Sequence, residues 1–193
     1  MVSRRSLLTG LIVPAVWPAP LRAQLRSADA WQALKAPGAI ALFRHAIAPG
    51  GGDPSGFVLG DCRTQRNLST EGQQQARRLG ESVKAQGVAV SEVWHSEWCR
   101  TTESARLAFP EMNSKGLRPE SAFNSFFGKP EEETFHTSRA LKLLLGWRGP
   151  GALVVFTHQV NITALTGIVP QSGEGVVLRP EGGRLLVQGR ILP

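Results

Sequence analysis

The chain has 193 residues, of which 41% are hydrophobic and 19% charged, and its formal net charge is +7. That length suits one domain with a sizeable core, and the composition is that of a globular chain, not a disordered or fibrous one. No basic cluster is interleaved with aromatics and tyrosine is absent, which argues against a nucleic-acid partner.

The first segment, "MVSRRSLLTGLIVPAVWPAPLRAQ", has a basic start at Arg4 and Arg5, an apolar stretch from Leu7 to Trp17, and a small-residue cleavage site at Leu21-Arg22-Ala23. The apolar stretch contains Pro14 and is shorter than the roughly 20 residues that span a bilayer. It predicts a signal peptide over residues 1–23, one domain over 24–193, no integral membrane segment after processing, and a periplasmic or otherwise exported location. "SRRSLL" resembles the twin-arginine export signal. Removing residues 1–23 takes away three arginines and no acid, so +7 becomes +4. A modest positive charge suits an anionic substrate.

Residues 24–38 predict a first helix and a turn at Pro37-Gly38. "AIALF" (39–43) is a continuous apolar run, as in a strand buried on both faces. Residues 46–67, rich in Gly, Pro and Asp, form a long loop, and such loops in compact domains are usually functional. A helix runs from Ser69 or Thr70 to about Gln86, with Thr70 and Gln73 at capping-box spacing and Ala76, Leu79 and Val83 on one face. A strand over 90–96, a helix over 99–108 ending before Pro110, and a short strand within 118–123 follow. Residues 133–147 predict a helix with Phe135, Leu141, Leu144 and Leu145 towards the core. "GALVVFTH" (151–158) is the strongest strand, a short helix covers Asn161 to about Leu165, and 175–180 pairs with 183–191 as a hairpin across Glu181-Gly182. Strands alternating with helices imply an α/β three-layer sandwich around a mostly parallel sheet.

In such sheets ligands sit beyond the carboxyl ends of the strands. One strand ends at Arg44-His45, another leads through "HSEWCRTT" to Arg100, and the strongest ends at Thr157-His158. Two arginines and two histidines brought together there would repel one another, so the site calls for an anion. Arginine forks match phosphate oxygens in a bidentate way. The four histidines lack metal-type spacing, and no metal or cofactor is implied. His95 and His136 read as surface or packing histidines, and Trp94, Trp98 and Trp147 as core or pocket walls. Two cysteines in an exported chain favour a Cys62–Cys99 disulfide, with two buried thiols as the alternative. A cysteine-dependent phosphatase would need an arginine six positions after its cysteine, and positions 68 and 105 are Leu68 and Ala105.

"LFRHA", "LSTEGQQQARRLGE", "VWHSEWCRTTESA" and "VVFTH", in that order, resemble the histidine phosphatase superfamily, whose fold is called phosphoglycerate mutase-like. Within it, "GDCRTQRNLS", "SEWCRTTESARLAF" and "THQVNITALTG" are most similar to exported lipopolysaccharide-core heptose phosphate phosphatases. The resemblance implies that His45 is the nucleophile, that Arg44, Arg100 and His158 bind the phosphate, and that Arg66 is a fourth contact. It implies a metal-independent phosphomonoesterase acting through phosphohistidine on a small phosphorylated substrate, for which a sugar phosphate of the lipopolysaccharide core is the expectation. A non-catalytic phosphate-ligand-binding protein of the same fold is the alternative. Asn161 is either a substrate contact or a helix N-cap. The superfamily has Gly after its Arg-His pair where this chain has Ala46. The acid that protonates the leaving oxygen is left open among Glu131, Glu132, Glu133 and Glu174, each of which also reads as a solvated acid.

Overall fold

The computed structural model describes residues 27–113 and 116–192, so the signal peptide expected over residues 1–23 lies outside the described residues. The first described helix, α1, is Ser27–Leu34, and the expected start at residues 24–26 lies outside the described residues. The strands are β1 Ile40–Arg44, β2 Val90–His95, β3 Arg118–Pro119, β4 Ala152–Thr157, β5 Gly175–Glu181 and β6 Arg184–Ile191. The remaining α-helices are α2 Thr70–Ala85, α3 Cys99–Ala108, α4 Glu133–Gly146 and α5 Gln159–Thr166. The six strands form one sheet in the order β3-β2-β4-β1-β5-β6. The first four are parallel, while β5 runs antiparallel to β1 and closes a hairpin with β6.

Alternation along β1 explains the layers. Ala41 and Phe43 face a cluster with Ala30, Leu34, Leu79, Val83 and Ala105, so α1, α2 and α3 cover that side. Ile40 and Leu42 face Trp94, Phe123, Ala140, Leu144 and Ile162 on the other side, beneath α4 and α5. Burying a large aliphatic or aromatic side chain contributes about 1.5–3 kcal/mol, so both faces of the central strands β1 and β4 are held, and each is apolar up to the polar residue that ends it. The structure is the expected mostly parallel α/β sandwich of the phosphoglycerate mutase-like kind.

Several local expectations are corrected. Ser69, not Thr70, caps α2, its side chain accepting from the Gly72 N–H at 3.0 Å. Gln73 instead donates to Glu103 on α3 at 2.9 Å. A Cβ on Gly72 would sit 2.0 Å from the Ile47 carbonyl oxygen, so only glycine lets α2 dock against the loop after β1. The strand within 118–123 is reduced to Arg118–Pro119, where β3 is the edge of the sheet and tolerates Pro119, and the ladder ends with the Glu120 N–H donating to the His95 carbonyl at 2.8 Å. Ser121–Phe123 then turns as a 3-10 helix and buries Phe123. On α4, Phe135 is 58% exposed and Leu141 is also exposed. The inner face is carried by His136, Ala140 and Leu144, spaced by four. The last helix begins at Gln159, ahead of Asn161.

Candidate active site

β1 and β4 are neighbours in register, with Arg44 opposite Thr157, and this brings their carboxyl ends together. The His45 N–H donates to the Thr157 carbonyl at 2.9 Å and the Arg44 N–H to the Glu174 carbonyl at 3.0 Å. The dipeptide is therefore fixed from both flanking strands. His45 is only 2% exposed. Its Nδ1 lies 2.8 Å from the Ala46 carbonyl oxygen, which can only accept, so the ring proton is on Nδ1 and the Nε2 lone pair is free. Burial above all lowers its pKa to about 3, against the opposing Ala46 hydrogen bond and helped by the charges of Arg100, Arg44 and Arg66.

His158 stands opposite, its ring centroid 5.6 Å from that of His45. Arg100 Nη2 approaches its Nδ1 at 3.4 Å, and because a guanidinium only donates, the His158 proton sits on Nε2, 2.8 Å from Ser96 Oγ. Burial, followed by Arg100, pushes His158 well below the usual histidine range. Arg44 donates to the Pro170 carbonyl at 3.0 Å, and Arg66 to the carbonyls of Ala48 at 2.7 Å and Gly50 at 2.6 Å. The buried Nε atoms of Arg44, Arg66 and Arg100 find no hydrogen-bond partner among the described residues. Three guanidinium groups with unused donors beside two neutral imidazoles could hold an anion. Burial lowers the pKa of each arginine, the sign of charge held away from water.

These five side chains line one cavity of about 540 Å³, larger than a phosphoryl group needs, walled further by Phe57, Trp98, Asn124 and Phe127. Helix α5 starts beside it at Gln159, placing a positive dipole end nearby. Among the described residues no group of three or more His, Cys, Asp or Glu could hold a metal ion.

The acids expected near the site separate. Only Glu132 lines the cavity, where it pairs with Lys129 at 2.9 Å and lies 3.6 Å from His136 Nε2. Glu131 and Glu133 do not line it. Glu174 is fully buried elsewhere, paired with Arg190 and accepting from the Gln171 N–H. Its backbone borders the site while its carboxylate points away. Asn161 is not the N-cap, a place His158 takes; it is buried, is not among the cavity-lining residues, and donates to the Asn124 carbonyl at 2.8 Å. His95 is a packing residue, its Nδ1 donating to the Ser96 carbonyl at 2.7 Å. His136 is also packed, stacked on Phe126, yet it lines the cavity as well.

Sequence reasoning missed Asp53. Its carboxylate pairs with Arg100 at 2.8 Å and accepts from the Arg66 N–H at 3.1 Å and the Trp98 indole at 3.0 Å. Burial works to raise this carboxyl, but the hydrogen bond and charge of Arg100, with the other two donors, outweigh it and hold it below the usual range. The only signal was a lone acid in "GGGDPSG", with its partner 47 residues away. Gly50, at φ +102°, provides the backbone turn that returns the loop to the arginines.

Cys62 and Cys99 form a disulfide joining this loop to the first residue of α3. Arg66 and Arg100 each lie a few residues from one of its ends. Reduction should lower stability by about 3–4 kcal/mol, the chain-entropy value for a loop of this size, read from denaturant midpoints with and without reductant. It should also weaken anion binding. Equal midpoints would contradict the prediction.

The buried histidines set a pH dependence. His45, His158 and His95 all lie below the ordinary value of 6.5 when folded. Between about pH 3 and 6.5 the unfolded chain binds more protons than the folded one. Stability should be complete above about pH 6.5 and fall as pH drops, by up to about 1.4 kcal/mol per pH unit from His45, with His158 and His95 acting in the same direction. Denaturant midpoints unchanged from pH 7 to pH 4 would contradict this.

No protein-family model matches the chain and no curated protein does. Solved structures do. A mycobacterial glucosyl-3-phosphoglycerate phosphatase complexed with VO3 is similar at a TM-score of 0.59 and 12% identity, covering 80% of this chain and 99% of that one. The protein histidine phosphatase SixA complexed with tungstate matches at 0.51 and 15%, covering 79% and 95%. A phosphoserine phosphatase variant from Entamoeba histolytica, in complex with phosphoserine, matches at 0.53 and 11%, covering 79% and 95%. At these identities the likeness establishes a shared fold.

Proposed function

We propose that the protein is a metal-independent phosphomonoesterase that works through a phosphohistidine on His45. The observation that carries the reading is the His45 tautomer: Nδ1–H is tied to a carbonyl and a neutral Nε2 lies in a cavity shared with three arginines. That nitrogen can attack phosphorus without first losing a proton, and one difficult displacement becomes two easier ones. Arg44, Arg66 and Arg100 would hold the phosphoryl oxygens and stabilise the charge that spreads over them in the transition state. His158 would face the same group. The structures similar in fold include complexes with VO3, tungstate and phosphoserine, which is consistent with an oxyanion or phosphomonoester in the corresponding pocket.

The substrate we favour is a sugar phosphate of the cell envelope, lipopolysaccharide core included. The cavity has room for a sugar-sized leaving group, and Phe57 and Trp98, with ring centroids 5.6 Å apart, offer apolar faces beside it. Residues 24–193, purified and assayed on p-nitrophenyl phosphate with chelator present, should release phosphate. Binding without turnover would establish a phosphate-binding protein instead.

Export is part of the reading, and the disulfide is compatible with it. The mature chain should begin near Gln24 outside the cytoplasm, and replacing Arg4-Arg5 with Lys-Lys should impair export. N-terminal sequencing of the exported fraction checks the first point, and a start at Met1 would contradict it. Unchanged export of the Lys-Lys variant would exclude the twin-arginine route.

A further inference from the structure

We propose that Asp53 is the acid–base group of the reaction, protonating the leaving oxygen as the phosphohistidine forms and accepting a proton from the water that hydrolyses it. The inference rests on the phosphatase reading above and assigns a group that reading lacks. Two carboxylates line the cavity, Asp53 and Glu132. The bonds described for Glu132 are to Lys129 and His136, whereas Asp53 is bonded directly to Arg100 and to the Arg66 backbone. Arg100 in turn reaches His158, whose ring faces His45. Asp53 is therefore the carboxylate built into the basic cluster.

The hydrogen bonds also say where a proton would sit. Oδ1 accepts from both Arg100 and Arg66, which fills its two lone pairs, while Oδ2 accepts from the Trp98 indole alone. Oδ2 keeps one lone pair for a proton. The three donors by themselves favour the ionised carboxylate. A phosphoryl group drawn into the arginine cluster reverses that balance, because it shares Arg100 and places its own negative charge beside Asp53. A substrate entering as the monoanion brings the proton with it.

Each half-reaction balances. First, the His45 Nε2 lone pair forms the N–P bond, the P–O bond to the leaving group breaks with its electron pair, and that oxygen takes the Asp53 proton. The alcohol departs and Asp53 is a carboxylate. Water oxygen then attacks phosphorus, its proton passes to Asp53, and the P–N bond breaks with its electrons returning to Nε2. His45 keeps its Nδ1–H throughout. Asp53 is then protonated again, and inorganic phosphate leaves as the monoanion with that proton, returning Asp53 to the carboxylate of the empty site.

The test is leaving-group dependence, measured as kcat/KM on p-nitrophenyl, phenyl and benzyl phosphate. Asp53→Asn keeps the side-chain shape and cannot supply the proton. It should lose about 10²–10⁴-fold on benzyl phosphate, the usual contribution of general acid–base catalysis, and less than about tenfold on p-nitrophenyl phosphate, whose leaving group needs little protonation. The variant should also show a burst of p-nitrophenol, because breakdown of its phosphoenzyme lacks a base. Equal losses on all three esters would make Asp53 a positioning residue for Arg100 and overturn the proposal. So would a leaving-group-selective loss in Glu132→Gln. Thermal stabilisation by orthovanadate shows that the variant is folded with its anion site intact. If it does not fold, the parent still decides: its kcat/KM should vary less than about tenfold across the series, and a steep fall towards benzyl phosphate would overturn the proposal. A parent that hydrolyses none of the esters would refute the phosphatase reading itself, and the proposal with it.

Discussion

His45→Ala should reduce turnover of any phosphomonoester by at least about 10⁴-fold, as removing a covalent nucleophile does. The loss should fall on kcat. Arg44, Arg66, Arg100 and His158 remain in the variant, so orthovanadate should still raise its melting temperature. That combination separates a missing nucleophile from a collapsed site. The imidazole is neutral far below physiological pH, because burial and three nearby guanidinium groups lower it to about 3. The nucleophile therefore should not contribute an acid limb to the pH–rate profile above about pH 5. An active His45→Ala enzyme, within tenfold of the parent, would contradict the mechanism.

Arg100→Lys should lose about 10²–10³-fold in kcat, the range for removing one preorganised donor from a developing oxyanion. The substitution keeps the charge but removes the fork. In the parent, Nη1 holds Asp53 at 2.8 Å and Nη2 reaches His158 at 3.4 Å, while the buried Nε is unpaired among the described residues. An ammonium is a point charge and cannot hold Asp53, His158 and a phosphoryl oxygen in one plane. The same planarity makes Arg100 the link between the acid, the second histidine and the anion. Activity within threefold of the parent would show that the fork is not used.

The parts of this arrangement that could be read from the sequence are those with a local cause. The apolar runs at 39–43 and 151–156 fall in β1 and β4 because a strand buried on both faces is apolar throughout, and Arg44, His45 and His158 follow from where those runs stop. Arg100 follows because α3 begins just after β2. The disulfide was legible from two cysteines in a chain with an export-like start. What failed had a distant cause. The inner face of α4 is set by what packs against it, so Ala140 and the packed His136 point inward while the more hydrophobic Phe135 is exposed. Glu174 adjoins the site in sequence, but Arg190, on the neighbouring strand, turns its carboxylate away. Asp53 lies in a glycine-rich loop without periodicity, and its meaning comes from Arg100, 47 residues later. Hydropathy carries no information about such a pair.

The central claim is that phosphorus becomes bonded to His45. Brief reaction of the purified 24–193 chain with ³²P-labelled phosphomonoester, followed by quenching and peptide mapping, tests it directly. The account predicts label that survives alkali, is lost in acid, and maps to the peptide carrying Arg44 and His45, with none in His45→Ala. Phosphate release from an active enzyme with no such label, or with label on a residue other than His45, would contradict it.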